Sequence, residues 1–291
     1  MSEIVAFLFP GQGQLPTSVL NLSPELVHLY ERVEQQGLEI REWIADGNAT
    51  RLSQTDAAQP TVFLDALARV EALRSRGIEP DVVAGHSLGE YAAFVAAGTL
   101  SADVALSLVV QRGRLMTVVL GGMTAVLKLD LEAVTDLCAA VGRGATVANY
   151  NGTRQFVVSA PLETLDLIEE RVAALGGRAV RLAVSGPFHS PAMRPAEEAL
   201  EPAIEAAPFL VPKAAFVSSV SGRREAGAEA LQTLLKRQMT SPVRWTDVVR
   251  ALAELDVTDA IEMGAGTVLT QLGKRLEDRI RFRAFEEVLH A

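Results

Sequence analysis

Cysteine is almost absent. Cys138 is the only one in 291 residues, so an internal disulfide is impossible and a metal site built on several thiolates is excluded. It lies in an apolar helical pattern with Val134, Leu137 and Val141, which predicts a buried core thiol rather than a nucleophile. Histidine is scarce too, with four in all, and neither H-E-x-x-H nor any other paired-histidine spacing occurs, so no metal or cofactor is expected. Positive charge is in deficit: 27 Lys and Arg stand against 36 Asp and Glu, a net −9. Nucleic acid is therefore not an expected partner, although a local basic patch remains free to receive an acidic protein or a phosphate. No apolar run reaches membrane-spanning length, and Met1-Ser2-Glu3 lacks the basic start of a signal peptide. A cytoplasmic protein without a membrane anchor is the expectation. Hydrophobic residues, at 49% against 22% charged, are plentiful enough for a substantial core.

Strand and helix patterns alternate along the first part of the chain. Ile4 to Phe9 is an apolar run that empties into Pro10-Gly11-Gln12-Gly13. Helical spacing covers Leu26 to Ile44 and Pro60 to Arg76, and Ser101 with Asp103 starts a helix that runs to Met116. Such alternation predicts a mostly parallel sheet covered on both faces. The rhythm changes after Gly121-Gly122. Strands at Met123–Leu129, Thr146–Asn149, Gln155–Ser159 and Arg178–Val184, with helices at Leu131–Val141 and Pro161–Leu175, spell β-α-β-β-α-β. That order predicts a ferredoxin-like unit inserted into the larger α/β domain. The expected division is a large domain at 1–122 and 189–291 and a small one at 123–188. In the last part, helices are expected at Pro191–Ala206, just before Gln238 and at Trp245–Leu255. Strands are expected at Ala214–Ser218 and Asp259–Glu262.

The stretch with most chemistry is Val82-Val83-Ala84-Gly85-His86-Ser87-Leu88-Gly89-Glu90-Tyr91. Strand, G-x-S-x-G and helix in this order form the context of a nucleophile elbow, in which a tight turn lifts the serine hydroxyl clear of the backbone. The helix that begins there aims free N–H groups at any negative charge forming beside Ser87. A serine hydroxyl needs a positioned base. His28 lies in a polar helix, His290 is the penultimate residue, and His86 projects away from its neighbour. His189, in the loop that returns from the small unit to the large one, remains. No Asp or Glu stands out as its orienting partner, and a backbone carbonyl is able to take that role.

Arg112 ends the apolar stretch Val104 to Val110. A buried guanidinium needs an anion, and the residues alone leave open a protein carboxylate, the more ordinary outcome, or a substrate carboxylate. Gln12, on the loop after the first strand, is placed to lend a backbone N–H to an oxyanion. Gly264-Ala265-Gly266 lacks the full dinucleotide fingerprint and reads as a tight turn.

Taken together these stretches resemble the malonyl-CoA:acyl carrier protein transacylase family over nearly the whole chain. The matching segments are Phe9-Pro10-Gly11-Gln12-Gly13, Gly85 to Tyr91, Gln111-Arg112-Gly113-Arg114-Leu115-Met116, Gly186-Pro187-Phe188-His189-Ser190, and Gln238 with Ser241-Pro242-Val243-Arg244-Trp245. Asn149 and Gln155 resemble the family's asparagine-rich strand connection. The resemblance implies that Ser87 carries the acyl group and that His189 is the base, held by the Gln238 carbonyl. It implies an oxyanion hole from the Gln12 and Leu88 N–H groups, and Arg112 on the malonyl carboxylate. Phe188, His86, Met116 and Asn149 complete the implied substrate-binding set, with Phe188 the malonyl-selecting form of its position. The implied partners are malonyl-CoA and a phosphopantetheinylated acyl carrier protein, with the chain acting as a monomer. Three departures stand out: Gln14 follows Gly13 at once, the Met116–Met123 link is short as in discrete trans-acting polyketide-synthase acyltransferases, and Gly152-Thr153 follows Asn151. The competing readings are a serine hydrolase or editing thioesterase using the same dyad, the transferase subunit of a malonate decarboxylase, and a non-catalytic docking subunit.

Overall fold

The computed structural model describes residues 3–290; Met1 and Ser2, on which part of the signal-peptide reading rests, lie outside the described residues. The apolar run Val5–Phe9 forms β1. Ser23 accepts from the Leu26 N–H at 3.2 Å and opens α1, Pro24–Glu34. The single helix expected over 26–44 is two, because Gly37 turns the chain at φ 80° before α2, Ile40–Ala45. After α3, Ala49–Leu52, the long α4 runs Thr55–Arg74, starting before Pro60 rather than at it. Burial on nearly all sides holds this helix together across the proline.

β2, Val82–Gly85, leads through Ser87 into α5, Gly89–Ala96. Ser101 caps α6, Ala102–Thr117, as its sequence predicts, and the helix ends one residue past the expected Met116. β3 (Gly122–Leu127), α7 (Leu131–Val141), β4 (Thr146–Gly152), β5 (Gln155–Ala160), α8 (Leu162–Ala174) and β6 (Arg178–Arg181) follow. The expected helix from Pro191 begins as a 3-10 turn, Pro191–Met193, and becomes α9 at Arg194–Ala206, where Pro195 fits the first helical turn. β7 (Ala215–Ser218), β8 (Arg223–Glu225), α10 (Ala228–Lys236), α11 (Trp245–Glu254) and β9 (Asp259–Glu262) come next. The chain closes with α12 (Val268–Leu276), β10 (Arg281–Ala284) and α13 (Phe285–Leu289), elements that the hydrophobic pattern does not announce. β8 is also unannounced, since Arg223-Arg224-Glu225 is a polar edge strand held by pairing to β7.

Six strands form one sheet in the order β10-β9-β1-β2-β7-β8, parallel except for β8. Its two faces separate two packed layers: Phe7, Phe9 and Val83 meet Phe63, Leu67 and Tyr91, while Ala6, Leu8 and Val82 meet Trp245, Val248 and Phe282. The other sheet is antiparallel in the order β4-β5-β3-β6, the ferredoxin-like arrangement. α7 and α8 cover one face with Val134, Leu137, Ile168 and Val172. On the opposite face Met123, Ala148 and Val157 join the core of the six-stranded sheet. Backbone bonds fasten the two sheets further, from Tyr150 N–H to the Val243 carbonyl (2.8 Å) and from Val243 N–H to the Ala148 carbonyl (2.9 Å). Cys138 lies on the buried face of α7, where burial pushes its thiol up to about 11.

Candidate active site

β2 is an interior strand, and its C-terminal end opens the site, where ligands of parallel sheets commonly bind. Both elbow glycines are required by close approach. A Cβ on Gly85 would lie 2.1 Å from the Glu90 nitrogen, and one on Gly89 only 2.0 Å from the Phe9 carbonyl oxygen. Between them Ser87 is driven to φ 55°, the strained left-handed conformation that presents its Oγ. His189 shares that strain at φ 58°. Its Nε2 stands 2.7 Å from Ser87 Oγ, and its Nδ1 lies 3.1 Å from the Gln238 carbonyl and 3.0 Å from that of Ser241. Two acceptors on one side assign the proton to Nδ1, which leaves Nε2 to accept from the serine hydroxyl. The Ser159 hydroxyl donates to the Phe188 carbonyl at 2.5 Å and pins the backbone just before the histidine.

Arg112 lies under this pair. One Nη2 donates to Ser87 Oγ at 3.1 Å and to Gln238 Oε1 at 3.2 Å, while Nη1 donates to Gln59 Oε1 at 2.8 Å. Among the described residues no carboxylate touches it, so the ordinary ion pair left open by the sequence is absent. The Gln12 and Leu88 N–H groups, one at each side of Ser87, make no hydrogen bond among the described residues. A cavity of about 290 Å³ opens between the two sheets, and its wall includes Gln12, His86, Ser87, Asn149, Phe188 and His189. Arg112, Leu88, Gln238 and Met116 are buried behind that wall rather than on it. Met116 faces Gln59 through its sulfur, so the structure does not bring it to the cavity. His86 points away from Ser87, with its Nε2 3.0 Å from Asn151 Oδ1 and 3.4 Å from Asn149 Nδ2. Gly264-Ala265-Gly266 is a packing turn: a Cβ on Gly264 would strike Pro10, and one on Gly266 would strike the Gln14 amide.

Over residues 23–279 the sequence matches the acyl transferase domain family. The chain belongs to that family. This acyltransferase is 35% identical to the malonyl CoA-acyl carrier protein transacylase of Bacillus subtilis (strain 168), across 97% of this chain and 92% of that one. It is 37% identical to the polyketide biosynthesis protein ThaF of Burkholderia thailandensis, across 93% of this chain but 24% of that longer protein. Its fold superposes on the crystal structure of an acyl-carrier-protein S-malonyltransferase from Burkholderia pseudomallei 1710b with a TM-score of 0.90, at 33% identity, covering 99% and 100% of the two chains.

Sequence reasoning missed the residues that hold the acyltransferase's buried charges. Gln59, on α4, receives Arg112 and in turn approaches Gln12 Oε1 at 3.3 Å. Glu90, fully buried in the first turn of α5, accepts from Gln238 Nε2, Ser218 Oγ and the Ser219 N–H. The Gln238 amide thus stands between guanidinium and carboxylate, and also donates to the Ser87 carbonyl at 3.0 Å. Burial raises the Glu90 carboxyl above its usual range and works against the Arg112 charge. A signal existed in the polar Gln59 within an otherwise apolar helix face and in Glu90 within an apolar one, but nothing local says which partner each finds.

Burial, and next the neighbouring Arg112 charge, depress His189 from 6.5 to about 3. This imidazole is therefore neutral throughout the neutral range. Serine acylation is expected to stay level from pH 8 down to about pH 5, without the fall near 6.5 that an ordinary histidine gives. Stability follows the same sign. The contribution from keeping this ring uncharged is fully present above about 6.5 and is lost as pH falls toward 3, because the unfolded chain takes up the proton first. Stopped-flow acylation and thermal unfolding across that range check both; a rate that halves at the ordinary histidine value contradicts the buried-base geometry.

Proposed function

We propose that this acyltransferase moves a malonyl group from coenzyme A to the phosphopantetheine thiol of an acyl carrier protein, through a malonyl ester on Ser87. The observation that carries the reading is the convergence of a hydroxyl, an imidazole and a guanidinium, with Ser87 Oγ within 2.7 Å of His189 and 3.1 Å of Arg112. Ser87 Oγ attacks the thioester carbonyl as its proton passes to His189 Nε2. Charge on the carbonyl oxygen is received by the Gln12 and Leu88 N–H groups. The tetrahedral adduct collapses, the C–S bond breaks, and the coenzyme A thiolate leaves with the proton from Nε2. The carrier thiol then gives its proton to Nε2 and attacks the ester, which returns the hydroxyl to Ser87. Arg112 steadies the serine oxygen before acylation and pairs with the malonyl carboxylate afterwards, which lies a short chain away from the same oxygen. Phe188 and Asn149 both line the cavity in which the acyl group is received. A site complete within one chain supports a monomer, and coenzyme A thioester substrates support a cytoplasmic setting.

Intact-mass measurement after mixing with malonyl-CoA tests this reading. A transferase accumulates one malonyl adduct, which a carrier protein discharges. Steady release of coenzyme A with no adduct would instead establish a hydrolase using the same dyad.

A further inference from the structure

Two buried charges stand close together without pairing. Arg112 and Glu90 are each 1% exposed, and opposite charges in a protein interior ordinarily meet. Here the oxygens around the guanidinium are neutral instead. They belong to Gln59, Gln238 and Ser87, and the Arg112 Nε–H has no acceptor among the described residues. Glu90 is satisfied without a cation. Its Oε1 accepts from the Ser219 N–H at 2.7 Å and from Ser218 Oγ at 2.9 Å, and its Oε2 accepts from Gln238 Nε2 at 2.5 Å. The Ser218 oxygen is itself the acceptor for the Val220 N–H, so its single proton is committed to Glu90.

One carboxamide separates the two charges, and its orientation is fixed. Gln238 Nε2 lies between two acceptors, Glu90 and the Ser87 carbonyl, while Oε1 faces Arg112 Nη2 at 3.2 Å. Turned over, the amide would set its oxygen against two oxygens and its NH2 against a guanidinium. The main-chain carbonyl at 238 holds His189, and any residue would supply that atom. The base alone therefore does not require glutamine at this position. We propose that the Gln238 side chain is a positioning residue for acyl selection, a neutral spacer that keeps Glu90 off Arg112 and leaves the guanidinium unneutralised for a substrate carboxylate. This role rests on the malonyl-transfer reading above. Arg112 Nη2 also reaches Ser87 Oγ, so the charge kept free by the spacer is the one beside the acyl group. A protein carboxylate directly on that fork would be charge-assisted and would compete with the substrate for the same N–H groups.

The test moves the carboxylate by one side chain. In the exchange Glu90→Gln with Gln238→Glu, the total charge and the acceptor offered to Ser218 and Ser219 are kept, but the carboxylate now touches Arg112. Acylation of Ser87 is measured with malonyl-CoA and with acetyl-CoA, per active site counted by a fluorophosphonate that labels the serine. The malonyl-to-acetyl ratio of kcat/KM should fall about tenfold or more in the exchange. It should fall likewise in Gln238→Glu alone, the smaller perturbation, where two facing carboxyls share a proton. An amide that serves only the fold lowers both donors alike, so a ratio within about threefold of wild type in these variants overturns the spacer. A second measurement needs no malonyl transfer. p-Nitrophenyl acetate acylates Ser87 with release of the phenolate, and free malonate should slow this in the wild type at about tenfold lower concentration than in the exchange. Protection that is equal in the two proteins, or absent from the wild type, overturns the assignment. A difference in protection without any turnover of malonyl-CoA upholds the spacer and removes the transferase reading instead.

Discussion

With Ser87→Ala, malonyl-CoA should leave no adduct on the protein, and transfer should fall by about 10⁴-fold or more. The strained turn, the two close-packed glycines and the N-terminus of α5 all serve to present one oxygen, and alanine removes that oxygen alone. The fold should survive. Alanine meets the same left-handed strain as serine, Gln238 still donates to the main-chain carbonyl at 87, and Arg112 retains Gln59 and Gln238. Thermal unfolding should therefore differ by no more than about 1–2 kcal/mol in stability. An adduct that persists in this variant would place the acyl group on another side chain.

Arg112→Ala should lower malonyl transfer by about 2–4 kcal/mol, roughly 30- to 700-fold in rate. Acetyl transfer should suffer far less, because an acetyl group has no carboxylate to lose its partner. The comparison matters because the same substitution harms the fold. It leaves Gln59 Oε1 and Gln238 Oε1 without their donor, so a destabilisation of about 1–3 kcal/mol is expected. The ratio of malonyl to acetyl rates in the folded fraction separates the two effects. Arg112→Lys serves as the second variant: it keeps the charge near Glu90 but not the planar fork, so it should recover much of the stability and little of the malonyl preference. Equal losses for both acyl groups would end the carboxylate role.

The local parts of the site were legible because their causes are local. G-x-S-x-G needs only its own strand and helix, and the Ser101 cap lies three residues from the Val104 N–H it accepts from. The ferredoxin-like unit was legible from its order of elements, and Cys138 from its apolar neighbours. His189 emerged by elimination among four histidines, which succeeds only because the count is small. Gln238 came from family resemblance alone, since its useful atom is a carbonyl that every residue has. Gln59 and Glu90 went unseen because their partners lie 53 and 148 residues away, a separation that no periodicity encodes. The C-terminal α12 was missed for a related reason. Its start is fixed by the buried Glu262, which accepts from the Leu269 and Thr270 N–H groups across a loop of glycines.

The Ser159 hydroxyl holds the histidine's approach through the main chain at residue 188, and no side-chain atom of Phe188 takes part. The anchor of the imidazole's backbone is thereby independent of which side chain stands beside it. A change of side chain at residue 188 therefore leaves that anchor in place, and the imidazole keeps its station beside Ser87.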